Sequence, residues 1–174
     1  MLRRAPRSTR FWIDETYIDY TGDAESLEAF ASESRNVIVC KSMSKVYALS
    51  GVRAACAALA ALDYYRARWA ETHVLRAELQ QQLERFGWDV IPGCANFLLC
   101  HLPIDGPDTA QVVEQARLRG VFLRDVSTMG TRIDDRTLRV AVKDGAANAR
   151  IVQALAAVLG ECARACDLPA AAAC

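Results

Sequence analysis

A short apolar segment that runs directly into a cluster of polar side chains constrains the fold of this chain most. Residues 37–40 are Val-Ile-Val-Cys, and three β-branched residues in succession are typical of a strand buried on both faces. Residues 41–45 follow as Lys-Ser-Met-Ser-Lys and bring hydroxyl and ammonium groups to the end of that strand. Ligands of open α/β sheets bind at the carboxyl ends of the strands. The stretch therefore predicts an α/β fold with a polar site at this sheet edge.

Lys45 is the candidate reactive amine of this site. Ser42 and Ser44 lie three and one residues before it, and Arg53 lies eight residues after it. Together they predict a compact anion site beside an amine, an arrangement that suits a cofactor carrying both an aldehyde and a phosphate. A solvated surface lysine is the alternative interpretation.

A second apolar segment predicts the strand that pairs with the first. Residues 11–13 are Phe-Trp-Ile and end at Asp14, and residues 26–34 have a helical pattern before the strand begins at Val37. A strand–helix–strand order predicts parallel strands joined by a right-handed crossover. We therefore expect Asp14 and Lys45 to emerge at the same edge of the sheet, where one ligand could contact both.

These two segments resemble a known enzyme family. The stretch SMSKVYALSGVR is similar to the lysine segment S/T-x-S-K-x-x-x-L-x-G-x-R of fold-type I pyridoxal-phosphate enzymes, and residues 14–17 resemble the D-E-x-Y segment found about thirty residues upstream of it. The chain resembles class I/II aminotransferases of the histidinol-phosphate aminotransferase type over about residues 11–159. The fold implied is α/β: part of the large pyridoxal-phosphate domain with parallel strands over residues 11–63, and a small C-terminal α/β domain over residues 64–160.

The resemblance also assigns roles around pyridoxal phosphate. Lys45 would be the catalytic lysine that bonds the cofactor, Asp14 would pair with the ring nitrogen, and Tyr17 would hydrogen-bond the ring hydroxyl. The cofactor phosphate would be held by Ser42, Ser44 and Arg53. For Asp14 a turn or capping carboxylate is the alternative, and for Tyr17 a half-buried core aromatic.

Three further residues resemble substrate-binding positions of the family. Arg139, in Leu-Arg-Val-Ala-Val, resembles the arginine that binds an amino acid carboxylate, and Arg124, in Phe-Leu-Arg-Asp, resembles one that meets a substrate phosphate. Either could instead be a simple edge charge. Asn96 lies in an Ala-Asn-Phe segment near the family's active site, and a turn asparagine is the equal alternative. The implied substrates are an amino acid or amino phosphate and a 2-oxo acid.

Several family elements have no counterpart in the chain. They are the glycine-rich phosphate loop, the aromatic residue that stacks on the ring and the asparagine of an N-P-x-N-P-T-G segment. These absences suggest a truncated product or a mis-assigned start. The resemblance also implies a homodimer for the full-length family. Three hypotheses follow: an aminotransferase impaired by truncation, a threonine-phosphate decarboxylase-like enzyme, and a non-catalytic remnant of the fold.

The remaining sequence predicts alternating helices and strands. Residues 54–62 could be strand, helix or a merger of the two. Asp108 with Gln111 resembles a capping box. Helices are predicted over 64–86, 108–119 and 146–159, and strands over 88–91, 96–101, 121–123 and 138–142.

Composition excludes some functions. Lys+Arg and Asp+Glu both number 21, which gives no support for nucleic acid or acidic membranes as partners. No apolar run reaches the roughly 18 residues that span a bilayer. The seven cysteines lack a metal-ligand spacing, so no metal site is expected, and buried reduced thiols indicate a cytoplasmic protein. Residues 1–10 are interpreted as a leader and 161–174 as a frayed tail.

Overall fold

The structure, a computed structural model, describes residues 2, 5–6, 8–47, 60–130 and 133–166. It divides into two units, residues 1–69 and 70–174, and the division lies inside a long helix. Of the predicted site residues, Arg53 lies outside the described residues, as does most of the junction at 54–62. In the described ranges no helix is long and apolar enough to cross a membrane.

The first unit is built on a two-stranded parallel sheet. Strand β1 pairs with β2 in a register that begins at Phe11↔Val37 and ends at Asp14↔Cys40. Two 3-10 turns, Ile18–Tyr20 and Asp23–Glu25, precede the first helix. The elements of this unit are β1 (Phe11–Asp14), α1 (Glu28–Ser32), β2 (Val37–Cys40), α2 (Met43–Val46) and the start of α3 (Leu62–Glu84).

The predicted strand–helix–strand order is confirmed, with a shorter helix than expected. The polar segment after β2 contains a short helix, Met43–Val46, which the sequence does not predict. Ser42 occupies the N-cap position with extended backbone angles, so the chain leaves the strand and enters the helix through this residue. Lys45 consequently lies on a helical turn.

Aromatic side chains pack the first unit together. Tyr20 and Tyr47 are buried, and the Trp69 ring lies 6.2 Å from the first and 5.5 Å from the second, measured between ring centroids. The Trp69 indole N–H donates to the carbonyl oxygen of Val46 at 3.2 Å. The beginning of α3 therefore anchors the C-terminal end of α2, next to Lys45.

The second unit contains an antiparallel sheet with the strand order β3-β4-β6-β5. Its strands are β3 (Asp89–Ile91), β4 (Phe97–His101), β5 (Arg124–Asp125) and β6 (Thr137–Ala141). Its helices are the rest of α3, α4 (Thr109–Leu118) and α5 (Gly145–Cys166).

Strand alternation separates the two faces of this sheet. Leu98 and Cys100 of β4 pair with Val140 and Leu138 of β6, and all four side chains are fully buried. They form the core with side chains from the three helices: Leu79, Leu83, Val112 and Leu155. Burial raises the pKa of the Cys100 thiol to about 12, so this thiol stays protonated and packs as an apolar group. The odd-numbered residues of β4 and β6 occupy the opposite face, where all of them except the buried Thr137 are half-buried.

Helix ends follow the sequence signals closely. The predicted capping box is confirmed: the Gln111 amide donates to Asp108 Oδ1 at 2.8 Å, and the Asp108 amide donates to Gln111 Oε1 at 3.1 Å. Gly120 follows α4 with a φ of +73°, a backbone conformation that favours glycine. The Asp144 carboxylate accepts from the Ala147 amide at 2.8 Å and caps α5.

Three predictions, two about this unit and one about the cysteines of both units, are wrong in part. Residues 121–123 form no strand, because the Val121 amide donates to the Ala116 carbonyl and completes the end of α4. The α5 helix continues through Cys166, so residues 162–166 are helical; residues 167–174 lie outside the described part. The prediction of buried thiols holds for Cys100. Among the other cysteines whose burial the structure describes, Cys94 and Cys162 are half-buried and Cys40 is exposed.

Leu83→Ala tests the core of the second unit. Leu83 is fully buried in α3, so we expect this change to lower the free energy of unfolding by about 2–5 kcal/mol. The matched control is Leu118→Ala in α4, where the side chain is 66% exposed and the change should stay within about 0.5 kcal/mol. Urea unfolding measures both, and equal losses would contradict the assignment of the core.

Candidate active site

Asp14 lies at the carboxyl end of β1, directly beside the end of β2. Its carboxylate is exposed, and its Oδ1 accepts hydrogen bonds from both the amide (2.9 Å) and the hydroxyl of Thr16. These two donors, the hydroxyl first, hold the pKa of Asp14 below its usual value. Asp14 thus presents an ionised carboxylate in a fixed orientation at the sheet edge.

The residues after β2 bring hydroxyls and an amine to the same edge. The Ser42 and Ser44 hydroxyl oxygens lie 2.8 Å apart and share a hydrogen bond. Lys45 is exposed, and its ammonium has no ion-pair partner in the described ranges. The structure therefore brings Asp14 and Ser42–Lys45 to the ends of two adjacent parallel strands, as the sequence predicts.

Tyr17 lies close to this edge, three residues after Asp14. It is half-buried, and its ring centroid is 6.5 Å from that of Tyr20. Packing against buried Tyr20 leaves part of the Tyr17 side chain exposed, and the cofactor role of Tyr17 stays a prediction.

Sequence reasoning missed Glu15, which is only 6% exposed. Alternation along β1 predicts that Glu15 points away from Asp14, and it does. The missed feature is its set of partners: the hydroxyl of Ser26, the amide of Leu27 and the ammonium of Lys41. A second acid directly after Asp14 and a lysine directly after the paired strand were the available signals.

The second unit brings two predicted arginines together. Arg124 of β5 and Arg139 of β6 are direct partners in the antiparallel register, so their side chains lie on the same face of the sheet. The guanidinium carbon of Arg139 lies 4.4 Å from the ring centroid of Phe97, within the range of a cation–π interaction. Neither arginine has an ion-pair partner among the residues that the structure describes.

Asn96 precedes β4 at the end of the sheet that carries Phe97. Its carbonyl oxygen accepts from the Val142 amide at 2.9 Å, which extends the pairing of β4 with β6 by one residue. Its half-buried side chain makes no described hydrogen bond. The backbone of Asn96 therefore has a structural role, and its side chain remains available for a ligand.

Comparisons with known proteins agree with this geometry. Residues 2–70 match the sequence model of the aminotransferase class I and II family. The matched range contains both Asp14 and Lys45. Histidinol-phosphate aminotransferase of Methanocella arvoryzae is 32% identical over 179 residues, covering 86% of this chain and 47% of that protein. The chain belongs to the class I and II aminotransferases. It spans about half the length of the curated relatives that it matches.

Solved structures share the fold of this aminotransferase chain. Histidinol-phosphate aminotransferase from Clostridium acetobutylicum superposes with a TM-score of 0.75 at 22% identity, covering 92% of this chain and 57% of that one. The Sinorhizobium meliloti enzyme, solved in complex with pyridoxal-5'-phosphate, gives a TM-score of 0.66 at 20% identity and covers 92% of this chain and 51% of that one. Both units of the aminotransferase chain therefore have the α/β architecture of this fold.

Thr16→Val tests the electrostatics of Asp14. Removing the hydroxyl donor should raise the pKa of Asp14 toward its ordinary value. A carboxyl whose folded pKa is lowered stabilises the fold above its unfolded pKa, and this contribution is lost as pH falls through the folded value. In Thr16→Val the free energy of unfolding should therefore decrease less as the pH is lowered through the pKa of Asp14. An NMR titration of the Asp14 carboxyl measures this pKa directly.

The matched control is Thr21→Val. The Thr21 hydroxyl donates to the Ile18 carbonyl at 2.7 Å, so this variant removes a local hydrogen bond without a carboxylate acceptor. An Asp14 pKa that moves equally in both variants would contradict the role of Thr16.

Proposed function

We propose that this chain acts as a pyridoxal-phosphate-dependent aminotransferase of the histidinol-phosphate type. The reaction would transfer an amino group between an amino acid or amino phosphate and a 2-oxo acid. The observation that supports this proposal is the parallel register of β1 with β2, which ends at Asp14↔Cys40 and is followed closely by the Ser42–Lys45 segment.

The residues at this edge fit the cofactor chemically. Pyridoxal phosphate, when bound, supplies an electron sink for the bonds broken at the substrate's amino carbon. Asp14 is kept ionised by Thr16, so it can hold a proton on the ring nitrogen. The hydroxyls of Ser42 and Ser44 can donate to phosphate oxygens, with Arg53 as a third phosphate ligand.

Lys45 is proposed as the catalytic lysine. Its exposed side chain extends from α2, whose C-terminal end is held by the hydrogen bond from Trp69 to Val46. A lysine amine so anchored can bond the cofactor and then move a proton at the substrate carbon as a general acid and base. Tyr17 would hydrogen-bond the ring hydroxyl beside it.

The arginines of the second unit are proposed to bind the acidic groups of the substrate. The register holds two like-charged residues opposite each other, and an anion that contacts both guanidiniums would offset that cost. Arg139 would bind a carboxylate bidentately, Arg124 would bind a substrate phosphate, and the Asn96 amide would donate to either group. The sheet thus favours substrates with two negative groups.

The family resemblance further supports a homodimer and a cytoplasmic location. Free cysteines are common in the reducing cytoplasm. Product analysis separates aminotransfer from the decarboxylase alternative, because only decarboxylation releases carbon dioxide. A full chain that neither retains the cofactor nor turns over substrate would favour the non-catalytic alternative.

Lys45→Ala tests the cofactor site. With pyridoxal phosphate equimolar to the chain, borohydride should fix the cofactor irreversibly to Lys45, since Ser42 and Ser44, proposed to bind the phosphate, lie three and one residues before it. Peptide mapping by mass spectrometry should locate the adduct at Lys45 and find it absent from the Lys45→Ala variant.

Lys143→Ala is the matched control, because Lys143 is also exposed but lies in the second unit. This variant should retain the adduct at Lys45. Adducts spread evenly over several surface lysines would overturn the proposal.

Arg124→Gln tests the substrate arginines. O-phosphoserine carries the two acidic groups that the paired arginines would bind, and serine lacks the phosphate. We expect Arg124→Gln to weaken O-phosphoserine binding about tenfold while leaving serine binding unchanged. Arg139→Gln should weaken both probes, as measured by NMR titration of the full chain.

Arg150→Gln removes another exposed positive charge of the second unit and serves as the control. Equal weakening of O-phosphoserine by all three variants would indicate a general loss of charge in place of a specific site.

A further inference from the structure

The carboxylate of Glu15 is buried at the point where both strands of the first unit end. Its backbone amide donates to the carbonyl of Cys40, the last residue of β2, at 2.8 Å. Its Oε1 accepts from the Leu27 amide and its Oε2 from the Ser26 hydroxyl, both at 2.7 Å. One residue thus joins the end of β1, the end of β2 and the start of α1.

A third partner comes from the segment that carries the reactive lysine. The Lys41 ammonium lies 3.8 Å from Glu15 Oε2 and 3.1 Å from the exposed Glu28 carboxylate. Lys41 directly follows β2 and directly precedes Ser42. The ion pair therefore connects the segment after β1 to the segment after β2.

Burial makes the contacts of the Glu15 carboxylate costly to break. A carboxylate removed from water is costly unless hydrogen bonds and an opposite charge compensate it, so the partners of Glu15 cannot be released one at a time without loss. Charge-assisted hydrogen bonds in a buried setting are also stronger than neutral ones. A displacement of either strand end would break several of them at once.

We propose that Glu15 is a positioning residue that fixes the segment bearing Asp14 relative to the segment bearing Ser42 and Lys45. The proposal rests on the function proposed above, which assigns Asp14 and Lys45 to the cofactor. The two consecutive acids have different roles. Asp14 is exposed at the ligand edge, and Glu15 is buried and fixes the two segments that form that edge.

Amide hydrogen exchange of the cofactor-free full chain provides the first test. Glu15→Ala removes every side-chain contact, and Glu15→Gln keeps an acceptor for Leu27 while removing the charge that faces Lys41. In both variants the amides of Thr16 and Tyr47 should exchange about tenfold faster, while the Val142 amide of the second unit is unchanged. Glu15→Gln keeps the test decisive if Glu15→Ala fails to fold.

Glu28→Gln is the matched control, since it removes the exposed partner of Lys41 and leaves Glu15 intact. It should not accelerate exchange at Thr16 or Tyr47. Acceleration confined to the Leu27 amide in the Glu15 variants would make Glu15 a local cap of α1 and overturn the proposal. Equal effects of Glu28→Gln and Glu15→Gln would overturn it as well.

Pyridoxal phosphate titration provides the second test. Glu15→Gln should weaken cofactor binding about tenfold and shift the pH midpoint of the bound cofactor's absorbance, because a displaced Asp14 holds the ring proton less well. Glu28→Gln should change neither. The positioning role would be overturned if the affinity from the titration and the pH midpoint of absorbance at saturating cofactor were both unchanged. If the unmodified chain retains no cofactor, the proposed function fails, and hydrogen exchange alone still decides how Glu15 holds the two segments.

Discussion

The parallel register of β1 with β2 is the constraint on which the candidate site depends. Side chains alternate between the faces of a strand, so a slip of one residue would exchange the directions of Asp14 and Glu15. The outward acid would then face Ser26 and Leu27, and the inward acid would face solvent. The observed register keeps Asp14 beside Cys40 and thereby fixes which carboxylate is available to a ligand.

The two carboxylates at this edge are stabilised in different ways. Asp14 is exposed, and its charge is supported by two donors from Thr16 within the same turn. Glu15 is buried, and its charge is supported by donors from α1 and by Lys41. Local donors leave Asp14 one oxygen for a ligand, whereas distant donors make Glu15 a link between segments.

The sequence was sufficient to predict the elements whose signals are local. The β-branched run at 37–40 predicts β2, and Asp108 with Gln111 predicts the start of α4, because strand composition and capping act within a few residues. The apolar run at 121–123 was misleading: Val121 closes the helix, and Phe122 is 81% exposed. The sequence marks Glu15 and Lys41 only as charges that follow the two paired strands, and their contact, like that of Glu15 with Ser26, is visible only in the tertiary structure.

The arginine pair of the second unit illustrates how a cost to the free protein can become selectivity. Arg124 and Arg139 are held opposite each other by the pairing of β5 with β6, and like charges in that position destabilise a sheet. The ring of Phe97 offsets part of this cost for Arg139, but a cation–π contact leaves the positive charge in place. Under the proposed function, an anionic ligand that contacts both guanidiniums would offset the cost of pairing the two arginines, and a neutral ligand would not. The register of two short strands therefore supports the proposal that the substrate carries negative groups.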